Sequence, residues 1–207
     1  MGTDDIFKKK RDRVELSRKK FNRGKKRDLV LIVAEGQKTE PLYFSGFRLS
    51  NVKVIGCGYN SDSLVSHAVY LKKQAIKNGE PYDQIWCVFD RDSCSPENII
   101  NAFRIANQNE IHPAFTNEAF ELWYLLHFNF YDSALSRNQY SDKLTESLGF
   151  KYRKKTHDMY DRLLPLQPNA IRNAIALLGR YSQSNPERDN PSTTVHHLVQ
   201  YLNQWVK

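Results

Sequence analysis

The apolar positions along this chain change their period near its midpoint. Leu29-Val30-Leu31-Ile32-Val33-Ala34 is an unbroken apolar run that stops at Glu35-Gly36. Six residues are too few for a stable helix, and an apolar run without alternation is what a strand covered on both faces needs. A shorter strand fits Val52-Lys53-Val54-Ile55, closed by Gly56-Cys57-Gly58, and a third fits Gln84 to Phe89, running into Asp90. Pro113-Ala114-Phe115 predicts a fourth. Helical spacing fills the gaps. Thr39 reads as an N-cap with Pro41 just inside, followed by Leu42, Tyr43, Phe44 and Phe47. Ser61 reads as the cap of a helix whose Leu64, Val65, Ala68, Leu71, Ala75 and Ile76 recur at three and four, ended by Asn78-Gly79. Ser95-Pro96-Glu97 opens another, with Ile99, Ile100, Phe103, Ile105 and Ala106. The order β-α-β-α-β-α-β over 28–116 predicts an α/β fold: a mostly parallel four-stranded sheet flanked by helices, with right-handed crossovers.

Beyond Asn117 the pattern is helical. Phe120 to Phe128 reads as one nearly all-apolar helix, and 136–149 and 168–182 as two more. A last helix is predicted to start with Asn190 as cap and Pro191 at its first position, carrying a stripe of Val195, Leu198, Val199, Leu202 and Val206. The predicted organisation is a basic flexible arm over 1–27, an α/β core over 28–128, and a helical C-terminal extension over 129–207 packed on that core.

Charge changes this picture in one respect. The net +8 is confined to residues 1–27, which hold 12 Lys/Arg against 4 Asp/Glu, while residues 28–207 hold 19 of each. A sequence pI near 9.3 thus describes the arm and not the folded body. An arm of this kind is either a solubilising tail, a wrap for nucleic-acid phosphates, or a docking element for an acidic partner. No stretch reaches the ~18 apolar residues of a membrane span, and no apolar run follows the N-terminal charges as a secretory signal requires. Cys57, Cys87 and Cys94 form no CxxC pair and read as reduced thiols, so a cytoplasmic protein is expected.

The chemistry-bearing residues stand at strand ends. In an open parallel sheet, ligands bind outside the carboxyl ends of the strands. Strand one ends in Glu35-Gly36 and strand three in Asp90-Arg91-Asp92. If these strands are neighbours, three carboxylates converge, and their repulsion is relieved by protonation or by a cation. Oxygen-only donors favour Mg²⁺ or Mn²⁺ over zinc. Asp90 and Asp92 bracket one residue, which in extended chain turns both to the same side. Taken singly, each acid has a plain structural reading as a helix cap. Glu121, on a helix of Phe120, Leu122, Trp123, Leu125 and Leu126, needs a partner if buried; it is a structural acid, a supporting group or a direct ligand. His127 falls on another helix face and reads as a core histidine. Lys151, Arg153, Lys154 and Lys155, interleaved with Tyr152 and near Tyr160, make the only dense basic cluster of the body: a solvated surface, or a phosphate clamp with a stacking platform. Lys38 can reach a phosphate, Arg91 can turn out to one, and His196, at the flank of the last helix's stripe, is a candidate general acid/base.

These motifs carry a resemblance. Val33-Ala34-Glu35-Gly36 followed by Phe89-Asp90-Arg91-Asp92 resembles a Toprim domain, as found in topoisomerases, primases and overcoming-lysogenization-defect nucleases. Four longer stretches resemble the RloB (AbiLii-like) family: Glu35-Gly36-Gln37-Lys38-Thr39-Glu40-Pro41 with Tyr43-Phe44; Trp86 to Asp92; Asn117 with Phe120-Glu121-Leu122-Trp123 and Leu125-Leu126-His127-Phe128; and Asn190-Pro191-Ser192-Thr193-Thr194-Val195-His196. The resemblance covers about 28–207. It implies a Toprim-like fold and a part in anti-phage defence (abortive infection), as the nuclease half of a system with an ABC- or AAA-type ATPase. Toprim nucleases often place a second acid four residues after the glutamate. Here that position is Thr39 and the acid is Glu40. The expectation is a Mg²⁺- or Mn²⁺-dependent nuclease acting on DNA or RNA, with self-association open. The rival is a non-catalytic effector or adaptor that binds an ATPase or nucleic acid.

Overall fold

The computed structural model describes residues 27–91 and 94–206, so the arm up to Lys26 and the candidate ligand Asp92 lie outside the described residues. The four expected strands are present as β1 (Val30–Ala34), β2 (Val52–Gly56), β3 (Gln84–Asp90) and β4 (His112–Asn117), all parallel. The sheet has five strands and not four. A two-residue strand, β5 (Ser192–Thr193), runs antiparallel to β4, giving the order β2-β1-β3-β4-β5. The predicted helix start at Asn190-Pro191 is therefore corrected. Thr194 spends its backbone and side chain on the sheet edge: its N–H donates to the Phe115 carbonyl at 2.8 Å, and its hydroxyl accepts from the Phe115 N–H at 2.9 Å. The helix begins only at Val195.

Helices α1 (Thr39–Ser45), α2 (Ser61–Lys77) and α3 (Pro96–Gln108) make the crossovers. Their caps sit one residue earlier than the sequence predicts for the first two, at Lys38 and Asn60, while Ser95 caps α3 and accepts from the Asn98 N–H. The apolar run Phe120–Phe128 forms only a short helix, α4 (Glu121–Leu125). The C-terminal part comprises α5 (Arg137–Leu148), α6 (Met159–Leu163), a 3-10 turn (Leu164–Leu166), α7 (Gln167–Leu178) and α8 (Val195–Asn203). Among the described residues no helix is long and apolar enough to cross a membrane.

Two apolar layers explain the unbroken runs. Val30, Ile32 and Ala34 of β1 face a core shared with α1, α4 and the C-terminal helices, whereas Leu31 and Val33 face a second core with α2 and α3. Every residue of β1 is fully buried, which is why its pattern does not alternate. Tyr43 anchors the first core, its ring within 6.5 Å of six aromatic neighbours, among them Trp123 and Tyr160. The C-terminal helices belong to this same core. The five-stranded α/β arrangement is compatible with a Toprim-like fold. Strand order sets the site: the connection from β1 leads outward to β2, then α2 returns the chain to β3 on the other side of β1. The edge between β1 and β3 is thus the switch point at which open α/β sheets bind ligands.

Candidate metal centre

Glu35 and Asp90 end the two strands that meet at the switch point. Ala34 pairs with Val88, and the Glu35 N–H donates to the Val88 carbonyl at 2.9 Å, so the two acids leave the sheet side by side. The chain must turn sharply after Glu35, and the neighbouring loop closes on it. The Gly58 N–H donates to the Glu35 carbonyl at 2.8 Å, and a Cβ at Gly56 would lie 2.7 Å from the Gly36 carbonyl oxygen. Gly56 is a glycine because two backbones touch there.

Gly36 has a different role. A Cβ on it would overlap the Glu40 carboxylate, which lies across the glycine. Because α1 starts at Thr39, Glu40 stands in its first turn and folds back onto the Gly36 backbone. Glu40 is 6% exposed. Burial raises its pKa above the ordinary carboxylate value and the Glu121 charge raises it further, against the lowering effect of its own and the Gly36 N–H groups and of Lys154. The anion at Glu40 is costly, and a nearby cation offsets that cost.

These carboxylates surround one cleft. A hollow of about 340 Å³ is lined by Glu35, Gly36, Lys38, Glu40, Asp90 and Glu121, together with Arg137 and Lys154. Asp90 accepts from the Phe120 N–H at 3.3 Å and sits 3.7 Å from Arg137. Glu121, 5% exposed, accepts the Tyr152 hydroxyl at 3.1 Å, with the exposed Lys154 ammonium at 3.9 Å. Among the described residues no three His, Cys, Asp or Glu side chains stand close enough to hold a metal ion as placed. The donor chemistry fits a hard divalent cation nonetheless: four carboxylates line the cleft, one of them buried against its own charge.

The other candidates divide. Lys38 and Lys154 line the cleft, whereas Lys151, Arg153, Lys155, Arg91 and His196 do not. Tyr152 and Tyr160 are buried in the first core, so the expected stacking platform of the basic cluster is corrected: these rings are structural, and only its lysines and arginine are exposed. His127 is a fully buried core histidine whose Nδ1 pairs with the Trp123 carbonyl at 2.9 Å; burial lowers its pKa to about 4. His196 is likewise buried, at the start of α8, and burial lowers its pKa to about 4.

Sequence reasoning missed Arg137 and the Phe120 N–H, and it read Tyr152 as a stacking ring and not as the partner of Glu121. Ser136 and Gln139 form a capping box that marks Arg137 as the first helical residue, but nothing local places α5 over Asp90. No curated protein and no solved structure matches the chain. The family model described as RloB-like protein matches residues 30–202, from the first residue of β1 to the last turn of α8 and so across the whole cleft. The chain belongs to the RloB-like family.

Proposed function

We propose that the protein is a metal-dependent nuclease that hydrolyses phosphodiester bonds of nucleic acid, acting in a bacterial anti-phage defence system with an ABC- or AAA-type ATPase. The observation that carries this reading is the convergence of Glu35, Glu40, Asp90 and Glu121 on one cleft at the β1/β3 edge. Mg²⁺ or Mn²⁺ held by Glu35, Asp90 and Asp92, with Glu40 and Glu121 completing the acid set, would supply Lewis acidity toward the phosphate and a hydroxide at neutral pH.

The remaining work falls to the chain's own groups. The Phe120 N–H and Arg137 orient the Asp90 carboxylate, and the Tyr152 hydroxyl orients Glu121. Arg137 and Lys154 each stand against an acid across the cleft. Both side chains are partly solvated and long enough to turn to a phosphate once the acids have another cation. Lys38 at the rim adds a further positive charge. Arg91, Lys151, Arg153, Lys155 and the basic arm would extend phosphate contacts along the strand, on a body whose net charge is zero.

The test is cleavage of single-stranded DNA, duplex DNA and RNA with Mg²⁺ or Mn²⁺, with and without a co-purified ATPase. Wild type should cleave at least one substrate, and Asp90→Ala should lose about 100-fold or more. Isothermal titration with Mn²⁺ gives a readout independent of turnover. Equal cleavage by wild type and Asp90→Ala, or neither cleavage nor Mn²⁺ binding under any of these conditions, refutes the proposal.

A further inference from the structure

A second hollow, of about 300 Å³, opens beside the acid cleft and shares Gln37 and Lys38 with it. Its composition differs from that of the cleft. Pro41 and Leu42 of α1 supply an apolar wall, Lys38, Lys155 and His157 supply cationic or titratable groups, and Gln37 and Ser45 supply hydrogen-bonding groups. No carboxylate lines it. The size is at the lower end of ligand pockets, and the layout of one apolar wall facing convergent cationic groups suits a small amphipathic anion.

The two lysines reach this hollow from distant parts of the sequence. Lys38 precedes α1, and Lys155 lies in the loop between α5 and α6, a loop tethered to α1 by the Thr39 hydroxyl donating to the Lys154 carbonyl at 3.4 Å. Lys38 and Lys155 line the same hollow, and Lys155 lowers the Lys38 pKa from its ordinary value. Two ammonium groups that line one hollow repel, and an anion between them relieves that repulsion. Mononucleotides combine such an anion with a flat apolar face.

The geometry points to a pocket for one unpaired nucleotide, its phosphate on Lys38 and Lys155 and its base against Pro41 and Leu42, next to the scissile phosphate in the acid cleft. The assignment rests on the nuclease reading of that cleft and makes it more specific. In a duplex the base faces are stacked and only phosphates are within reach. A base that lies against Pro41 and Leu42 must have left its stack. The substrate class is therefore single-stranded nucleic acid, or the unpaired loop or end of a folded one.

The full chain, kept in EDTA so that the acid cleft holds no divalent ion, is titrated with AMP, UMP, the matching nucleosides and inorganic phosphate. Mononucleotides should bind about tenfold tighter than either nucleoside or inorganic phosphate. The Lys38→Ala/Lys155→Ala double variant, checked for folding by circular dichroism, should lose about tenfold of that affinity, and Asp90→Ala should retain it. Inorganic phosphate binding as tightly as AMP marks a bare anion site and overturns the nucleotide assignment, as does equal AMP affinity in wild type and the double variant. Cleavage of duplex DNA in preference to a single strand of the same sequence overturns the substrate class. The two readings separate cleanly: AMP bound as described without any metal-dependent cleavage defeats the nuclease proposal alone, and cleavage without AMP binding defeats this pocket alone.

Discussion

Replacing Tyr152 by phenylalanine removes one oxygen from beneath the acid cleft, and that oxygen carries most of the support for a buried charge. Glu121 is 5% exposed and accepts the Tyr152 hydroxyl at 3.1 Å. Its cationic neighbour, the Lys154 ammonium, lies 3.9 Å away on a side chain that is 63% exposed, and exposed pairs of that length contribute ~0–1 kcal/mol. A hydrogen bond to a charged group contributes about 1.5–3 kcal/mol. The cleft admits water to the vacated position, which places the expected loss near the lower end, about 1.5 kcal/mol, or roughly tenfold in the folding equilibrium. For a chain of this size that corresponds to a fall in melting temperature of about 3–6 °C. Urea denaturation of wild type, Tyr152→Phe and Lys154→Ala measures the order directly, with Lys154→Ala expected within about 0.5 kcal/mol of wild type. Because the same hydroxyl aims Glu121 into the cleft, Mn²⁺ affinity should fall about 10–100-fold in Tyr152→Phe. A Tyr152→Phe protein as stable as wild type, or less affected than Lys154→Ala, refutes the claim that Tyr152 holds the Glu121 carboxylate. Lost stability with unchanged Mn²⁺ affinity removes Glu121 from the acid set and leaves its role structural.

Three further outcomes follow from the same contacts. Gly36→Ala places a methyl group where the Glu40 carboxylate lies; it should cost about 1–3 kcal/mol by denaturation, and much less in a Glu40→Ala background, so an additive double-mutant cycle would count against the packing. Mg²⁺ at about a hundred times its dissociation constant should stabilise the wild type by about 2.7 kcal/mol, while Glu40→Gln should be more stable than wild type without metal, because it removes a buried charge facing Glu121, and less responsive to Mg²⁺ in a thermal-shift assay. His127 is neutral in the fold, with its pKa lowered to about 4 by burial, so its contribution to stability is complete above the unfolded value of ~6.5 and is lost as pH falls from there toward 4. Between pH 7 and 4.5 this single group should account for about 2 kcal/mol of lost stability, a loss that His127→Gln should not show when unfolding is followed at both pH values.

How much of this was legible in the sequence depends on whether the cause is local. The parallel strands were legible because burial on both faces leaves an unbroken apolar run, and β1 is buried along its whole length. Glu35 and Asp90 were legible because they end such runs. β5 was not: two residues, Ser192 and Thr193, cannot produce a period, and the bonds that make them a strand come from Thr116 and Asn117, 75 or more positions away. The apolar run Phe120–Phe128 looked like one long helix because apolarity records burial, and burial here continues through the turn that follows Leu125. The basic cluster read correctly as exposed charge at Lys151, Arg153, Lys154 and Lys155, but its tyrosines face inward, a distinction that a loop without periodicity does not encode.

The acid at Glu40 shows how a departure in spacing can still meet the same physical requirement. The position four residues after Glu35 holds Thr39, which spends its side chain and carbonyl on the scaffold: its hydroxyl donates to the Lys154 carbonyl, and its carbonyl accepts from the Tyr124 hydroxyl at 3.3 Å. The next residue turns back over Gly36, a position with no side chain, and enters the cleft from the first turn of α1. Two sequence features therefore act as one. Gly36, directly after the strand-end Glu35, vacates the volume that the Glu40 carboxylate fills. An acid displaced by one residue reaches the cleft only where the residue after the strand-end glutamate lacks a side chain, so any side chain at Gly36 must displace the Glu40 carboxylate, whereas the carboxylate itself can be replaced by an amide of the same shape with Gly36 left in place.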